Sequence, residues 1–178
     1  LVAHFKAIAK EVPMPFVVYN VPSRTALNLL PATVARLARE IPEVIGIKEA
    51  TGDLKQVSEV VEFCPKGFTV LSGDDFTVLP LLAVGGHGVI SVVSNVMPRQ
   101  MSDMCRAFFA GDMATAQKLH YEMNPISRAM FIETNPVPAK TALDMMGRQP
   151  FEVRLPLVEL LPGNREKLAA ALKDAALI

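Results

Sequence analysis

Val44-Ile45-Gly46-Ile47-Lys48-Glu49-Ala50-Thr51-Gly52-Asp53 reads as a short apolar strand ending on a lysine, a turn, and a helix start at Asp53. An ammonium group at the end of such a run has two readings. Burial disfavours its charged form and lowers its pKa. The neutral amine is then a nucleophile suited to Schiff-base formation with a carbonyl compound. At a pKa of about 10.4, only about one lysine in a few thousand is neutral at pH 7, so a catalytic Lys48 needs electrostatic work from its surroundings. Alternatively, Lys48 lays its methylenes along the strand end and keeps the ammonium in water. The stretch alone leaves both open.

The same unit recurs on either side. Upstream, Val2, Phe5, Ile8, Ala9 and Val12 lie at helical spacing until Pro13 and Pro15. The strand Phe16-Val17-Val18-Tyr19 and the loop Asn20-Val21-Pro22-Ser23-Arg24-Thr25 follow. Pro31 opens a helix with Val34, Leu37, Ala38 and Ile41 inward. Downstream of Lys48, a helix over 53–63 presents Leu54, Val57, Val60 and Val61. Strand 68–71 leads into Ser72-Gly73-Asp74-Asp75 and a leucine- and valine-rich helix, and strand 88–93 leads into a helix to about 110.

These four strand–helix units predict an α/β fold with a parallel sheet covered on both faces. Either a doubly wound sheet or part of a (β/α)8 TIM barrel would fit. A full barrel takes about 250 residues, and the Gly-rich loop typical of the doubly wound fold is missing. Beyond 111 the pattern is helical. Residues 112–132 form one predicted helix, kinked or interrupted by Pro125, and 136–147 form another, capped by glycine. A third covers 164–177 with Asn164 as N-cap. The predicted division is 1–111 and 112–178. Leu1 falls in a helical pattern with no initiator methionine, so the chain is expected to begin inside a longer protein.

Of 178 residues, 51% are hydrophobic, and 18 basic side chains balance 18 acidic ones. That suits a folded domain and gives no electrostatic footprint for nucleic acid or a membrane surface. No apolar run reaches the about 18 residues of a spanning helix, no signal peptide is apparent, and a cytoplasmic location is expected. Cys64 and Cys105 lack metal-ligand spacing and read as reduced thiols; His4, His87 and His120 are scattered, so no metal site is expected.

In strand–helix units the chemistry gathers at the C-terminal strand ends. Those ends hold Tyr19 with Arg24, Lys48, Ser72-Gly73-Asp74-Asp75, and Ile90 to Asn95. A phenol can relay protons and a guanidinium can grip a carboxylate in bidentate fashion. Each also has a plain reading: a rim tyrosine, a solvated arginine, a helix-capping aspartate. Gly85-Gly86-His87-Gly88 reads as a turn into the last strand. The set taken together favours catalysis.

Tyr19-Asn20-Val21-Pro22-Ser23-Arg24-Thr25, Gly46-Ile47-Lys48-Glu49-Ala50-Thr51-Gly52, Ser72-Gly73-Asp74-Asp75, Gly85-Gly86-His87-Gly88-Val89-Ile90-Ser91 and Asn135-Pro136-Val137-Pro138-Ala139-Lys140 resemble the dihydrodipicolinate synthase family. The resemblance implies a (β/α)8 barrel, here its last four units plus a C-terminal helical extension, in a homotetramer. It implies condensation of pyruvate with L-aspartate-4-semialdehyde on the diaminopimelate route to lysine, with no cofactor beyond the covalent imine. Lys48 would form that imine, Tyr19 would donate and accept protons, and Arg24 would orient the semialdehyde carboxylate. Gly73 and Ile90 would lie against pyruvate through their backbones. Two alternatives stand beside this: a pyruvate-dependent aldolase of the wider N-acetylneuraminate lyase superfamily, and a non-catalytic half barrel. The Ser23-Arg24-Thr25 continuation favours the synthase. The paired threonines, the neighbouring subunit's tyrosine and the first four units of that family lie outside these residues.

Overall fold

A computed structural model describes all residues, 1–178, which form two compact units, Leu1–Ile90 and Ser91–Ile178.

The first unit runs α1 (Val2–Glu11), β1 (Phe16–Asn20), α2 (Pro22–Thr25), α3 (Pro31–Glu40), β2 (Val44–Glu49), α4 (Leu54–Phe63), β3 (Thr69–Ser72), a 3-10 turn (Asp75–Thr77), α5 (Val78–Ala83) and β4 (Gly88–Val89). All strand pairs are parallel and the order is sequential, β1-β2-β3-β4. A doubly wound sheet would reverse its order at a switch point. This one does not.

One face of the sheet makes the core. Val18, Val44, Ile47 and Val70 pack with Ala9, Leu29, Val34, Leu37, Ile41, Val57, Val60 and Leu81. The opposite face is the surprise. Tyr19 and Ile45 are 46% and 45% exposed there. The apolar runs therefore read as covered on both faces, whereas the core lies on one. A register irregularity contributes: Phe16 pairs with Val44 but Val17 with Gly46, so Ile45 is an extra residue in β2. The bulge lets Val44 and Ile47 both face the helices despite their odd spacing, and leaves Ile45 outside.

Several boundaries differ from expectation. The run 88–93 has strand composition, yet β4 holds two residues and Val93–Asn95 forms a 3-10 turn. With β3 as its one neighbour, this edge segment gains a single ladder. The predicted loop after β1 contains the one-turn helix α2, which Pro22 starts and Ala26, at φ 55°, ends. In α1, Ile8 and Val12 are exposed, and Val2, Phe5 and Ala9 carry its inward face.

The second unit contains α6 (Pro98–Phe109), α7 (Met113–Met130), α8 (Val137–Met145) and α9 (Pro162–Asp174). Helix α6 packs extensively on α7, and both fall in this second unit. Pro125 does not interrupt α7. The hydrogen bond it forfeits belongs to the carbonyl of Tyr121, a residue 69% exposed, where water can replace it. Asn164 is not the N-cap of α9, which begins at Pro162. Its amide instead donates to Glu133 Oε1 at 2.8 Å, and the same oxygen accepts the Leu161 N–H at 2.9 Å. A carboxylate distant in sequence thus ties down the residue that precedes the helix.

Candidate active site

The parallel register builds the site. Tyr19 of β1 stands opposite Lys48 of β2, and Lys48 stands opposite Leu71 of β3. Side chains alternate across a sheet, so Asn20 and Glu49 turn into the helix layer while Tyr19 and Lys48 share the other face. The Lys48 ammonium lies 4.2 Å from the Tyr19 ring centroid. Burial of its stem lowers the Lys48 pKa most; Asp75 opposes the shift and Arg24 adds to it. The ring face favours the charged amine by about 0.5–1 kcal/mol at such a part-exposed position, working against burial. The outcome is a half-buried amine nearer neutrality than an ordinary lysine.

Two glycines shape the surroundings. A Cβ at Gly46 would come within 2.6 Å of the Thr69 carbonyl oxygen, so only glycine lets β2 approach β3 here. A Cβ at Gly73 would meet Ala50 Cβ at 2.6 Å and Lys48 Cε at 3.0 Å. Gly73 thus packs its bare α-carbon on the lysine stem, and its N–H donates to the Glu49 carbonyl at 2.7 Å. Ile90 follows β4, donates its N–H to the Ser72 carbonyl at 2.9 Å, and extends the register to the level of Gly73. Arg24 lies on α2, which leaves the end of β1. The five expected site residues, Tyr19, Arg24, Lys48, Gly73 and Ile90, all fall at the C-terminal ends of their strands.

The acidic pair divides its labour. Asp74 caps the 3-10 turn by accepting the Phe76 N–H at 3.1 Å. Asp75 is buried at 4% exposure and its charge reaches Lys48. The glycine run 85–88 closes α5: Gly85 and Gly86 donate to the Leu82 and Leu81 carbonyls. His87 then clasps β3 twice, its N–H to the Val70 carbonyl at 2.8 Å and its Nδ1 accepting the Val70 N–H at 3.1 Å. A cleft of about 380 Å³ lies at the opposite ends of β3 and β4, lined by residues including Cys64, Lys66 and His87. Burial pushes the Cys64 thiol up to about 11. No three His, Cys, Asp or Glu side chains converge in an arrangement that could hold a metal ion.

Sequence reasoning missed a polar cluster directly behind the lysine. Glu49, 1% exposed, accepts from Asn20 Nδ2 at 2.9 Å, Gln56 Nε2 at 3.1 Å and the Thr51 N–H at 2.8 Å. Asn28 joins both amides at the rim. The available signal was two adjacent ionisable residues closing an apolar strand.

The dihydrodipicolinate synthetase family model matches residues 1–175. The 4-hydroxy-tetrahydrodipicolinate synthase of Nitratidesulfovibrio vulgaris (strain DSM 19637 / Miyazaki F) is 66% identical over 178 residues, which are 100% of this chain and 61% of that protein. The dihydrodipicolinate synthase of Thermotoga maritima superposes with a TM-score of 0.96 at 42% identity, covering 99% of this chain and 61% of its own. That of Acinetobacter baumannii, chloride-inhibited and complexed with pyruvate, does so with a TM-score of 0.94 at 41% identity, covering 99% and 60%. The chain therefore spans about three fifths of the length of these relatives. The family match over nearly the whole chain and the identity to these relatives show that the chain belongs to the dihydrodipicolinate synthetase family.

Proposed function

We propose that this chain carries the imine-forming half of a class I pyruvate-dependent lyase, a 4-hydroxy-tetrahydrodipicolinate synthase acting in the cytoplasm in lysine biosynthesis. The observation that carries the reading is the Lys48 amine, depressed in pKa and set over the Tyr19 ring at the C-terminal strand ends. The neutral amine attacks the keto carbon of pyruvate, and loss of water leaves a protonated imine. That cation acts as the electron sink when the pyruvate methyl gives up a proton. The resulting enamine attacks the aldehyde carbon of L-aspartate-4-semialdehyde, forming the new carbon–carbon bond. The substrate's amino group then closes on the imine carbon and displaces Lys48, so no cofactor is consumed. Tyr19 carries protons to and from the carbinolamine in this scheme. Arg24 takes the semialdehyde carboxylate; this guanidinium favours the synthase over the sugar-acid lyases of the wider superfamily.

The sequential sheet with its core on one face fits units five to eight of a (β/α)8 barrel over 1–111, with 112–178 as the extension and a homotetramer as the assembly. An observation also favours an inert chain in isolation. Tyr19 is 46% exposed and the matched relatives are longer, so the site is open on the side where substrate would be enclosed.

The test grafts these 178 residues in place of the matched segment of the Nitratidesulfovibrio vulgaris synthase. Pyruvate with borohydride should attach a reduced three-carbon adduct to Lys48, located by peptide mass spectrometry. An unmodified Lys48 in the folded graft sinks the mechanism.

A further inference from the structure

The cluster behind the lysine has no part in the chemistry just described, yet it encloses a carboxyl group at 1% exposure. Burying a carboxylate costs several kcal/mol unless hydrogen bonds compensate. Here all three partners donate, the pattern an acceptor-only carboxylate satisfies. The donors are themselves locked. Asn20 Oδ1 accepts the Leu29 N–H at 2.9 Å, so its Nδ2 must face Glu49. Gln56 Oε1 accepts from Asn28 Nδ2 at 2.8 Å, so its Nε2 must do the same. No buried side-chain polar atom in the chain lacks a partner.

The register makes this cluster a mirror of the candidate site. Asn20 is paired with Glu49 on one face and Tyr19 with Lys48 on the other, one step earlier. Pinning Glu49 to the helix layer fixes the strand's rotation, and alternation then sends Lys48 toward Tyr19. The Thr51 N–H ties the turn Ala50–Asp53 to the same carboxylate. That turn carries Ala50, which with Lys48 walls Gly73.

We propose that Glu49 is a positioning residue: its buried carboxylate, held by Asn20, Gln56 and the Thr51 amide, sets where the Lys48 amine stands against Tyr19 and Gly73. The catalytic consequence rests on the reading of Lys48 as the imine-forming amine; the geometric claim does not.

Glu49→Gln in the graft keeps the shape of the side chain and its oxygen toward Asn20 and Gln56. It turns an NH2 against the Thr51 N–H, donor to donor. Two readouts are taken on folded protein: pH-dependent acetylation of Lys48 by acetic anhydride, followed by mass spectrometry, and borohydride trapping with pyruvate. Tyr19 of β1, Arg24 of α2 and Asp75 of the 3-10 turn are the titratable or charged neighbours of Lys48, and none is altered. A loosened Lys48 gains water, so its acetylation midpoint moves to higher pH and trapping slows about ten- to a hundredfold. Gln56→Met removes one donor, leaves the Thr51 contact, and gives smaller shifts in the same directions; it decides the matter if Glu49→Gln does not fold. A lowered unfolding midpoint with the acetylation profile and trapping rate unchanged overturns the proposal. If the parent graft is not trapped by pyruvate at all, the imine reading fails and the acetylation profile still decides the role of Glu49.

Discussion

At the scale of single residues, a balance of neighbours sets the protonation of Lys48. Burial lowers its pKa, Arg24 lowers it further, and Asp75 raises it. Asp75→Asn removes the charge that favours the ammonium, so the neutral amine should appear at lower pH. Arg24→Gln removes a repelling charge, so it should appear at higher pH. The midpoint of Lys48 acetylation against pH checks both signs, and identical midpoints in all three proteins would refute the assignment. Position and type of the expected site residues were legible, because strand ends are countable and a lysine closing an apolar run is conspicuous. The Glu49 cluster was not. Its partners lie up to 29 residues apart in sequence, and hydrogen bonds between amides leave no periodic trace.

At the scale of elements, α4 follows the lysine strand and has a complete N-terminal cap. Asp53 accepts from the Lys55 N–H at 2.9 Å and from the Gln56 N–H at 3.3 Å. Asp53→Ala should cost about 1 kcal/mol, read as a lower urea midpoint with unchanged slope. The cap also sets the start of the helix turn that delivers Gln56 to Glu49, so this variant should reproduce a fraction of the Lys48 shift. Helix starts with such local caps were readable in advance. The start of α9 was not, because Glu133 reaches it from 28 residues before Leu161. The fourth strand was overestimated for a related reason. Val89-Ile90-Ser91-Val92-Val93 has strand composition, but a strand extends as far as it has a partner.

At the scale of the whole chain, β1 and β4 are the two ends of the sheet and each has one paired side. Unpaired parallel edges invite association. The isolated 178-residue chain should therefore associate with rising concentration in sedimentation velocity, while the graft should not beyond its own assembly. A concentration-independent monomer of the isolated chain would contradict this. No helix is long and apolar enough to cross a membrane.

The sequence by itself determined the βα repeat, the parallel sheet, the family and the placement of five candidate residues at the strand ends. Each of these is written in local periodicity, in turn residues or in short contiguous motifs. Tertiary structure alone decided which face of the sheet is buried, where the β2 bulge falls and how far β4 runs. It alone brought Asn20, Glu49, Thr51 and Gln56 together behind the lysine. These features depend on pairing between segments distant in the chain, and the free energy of such pairing belongs to the contact between them, not to either segment.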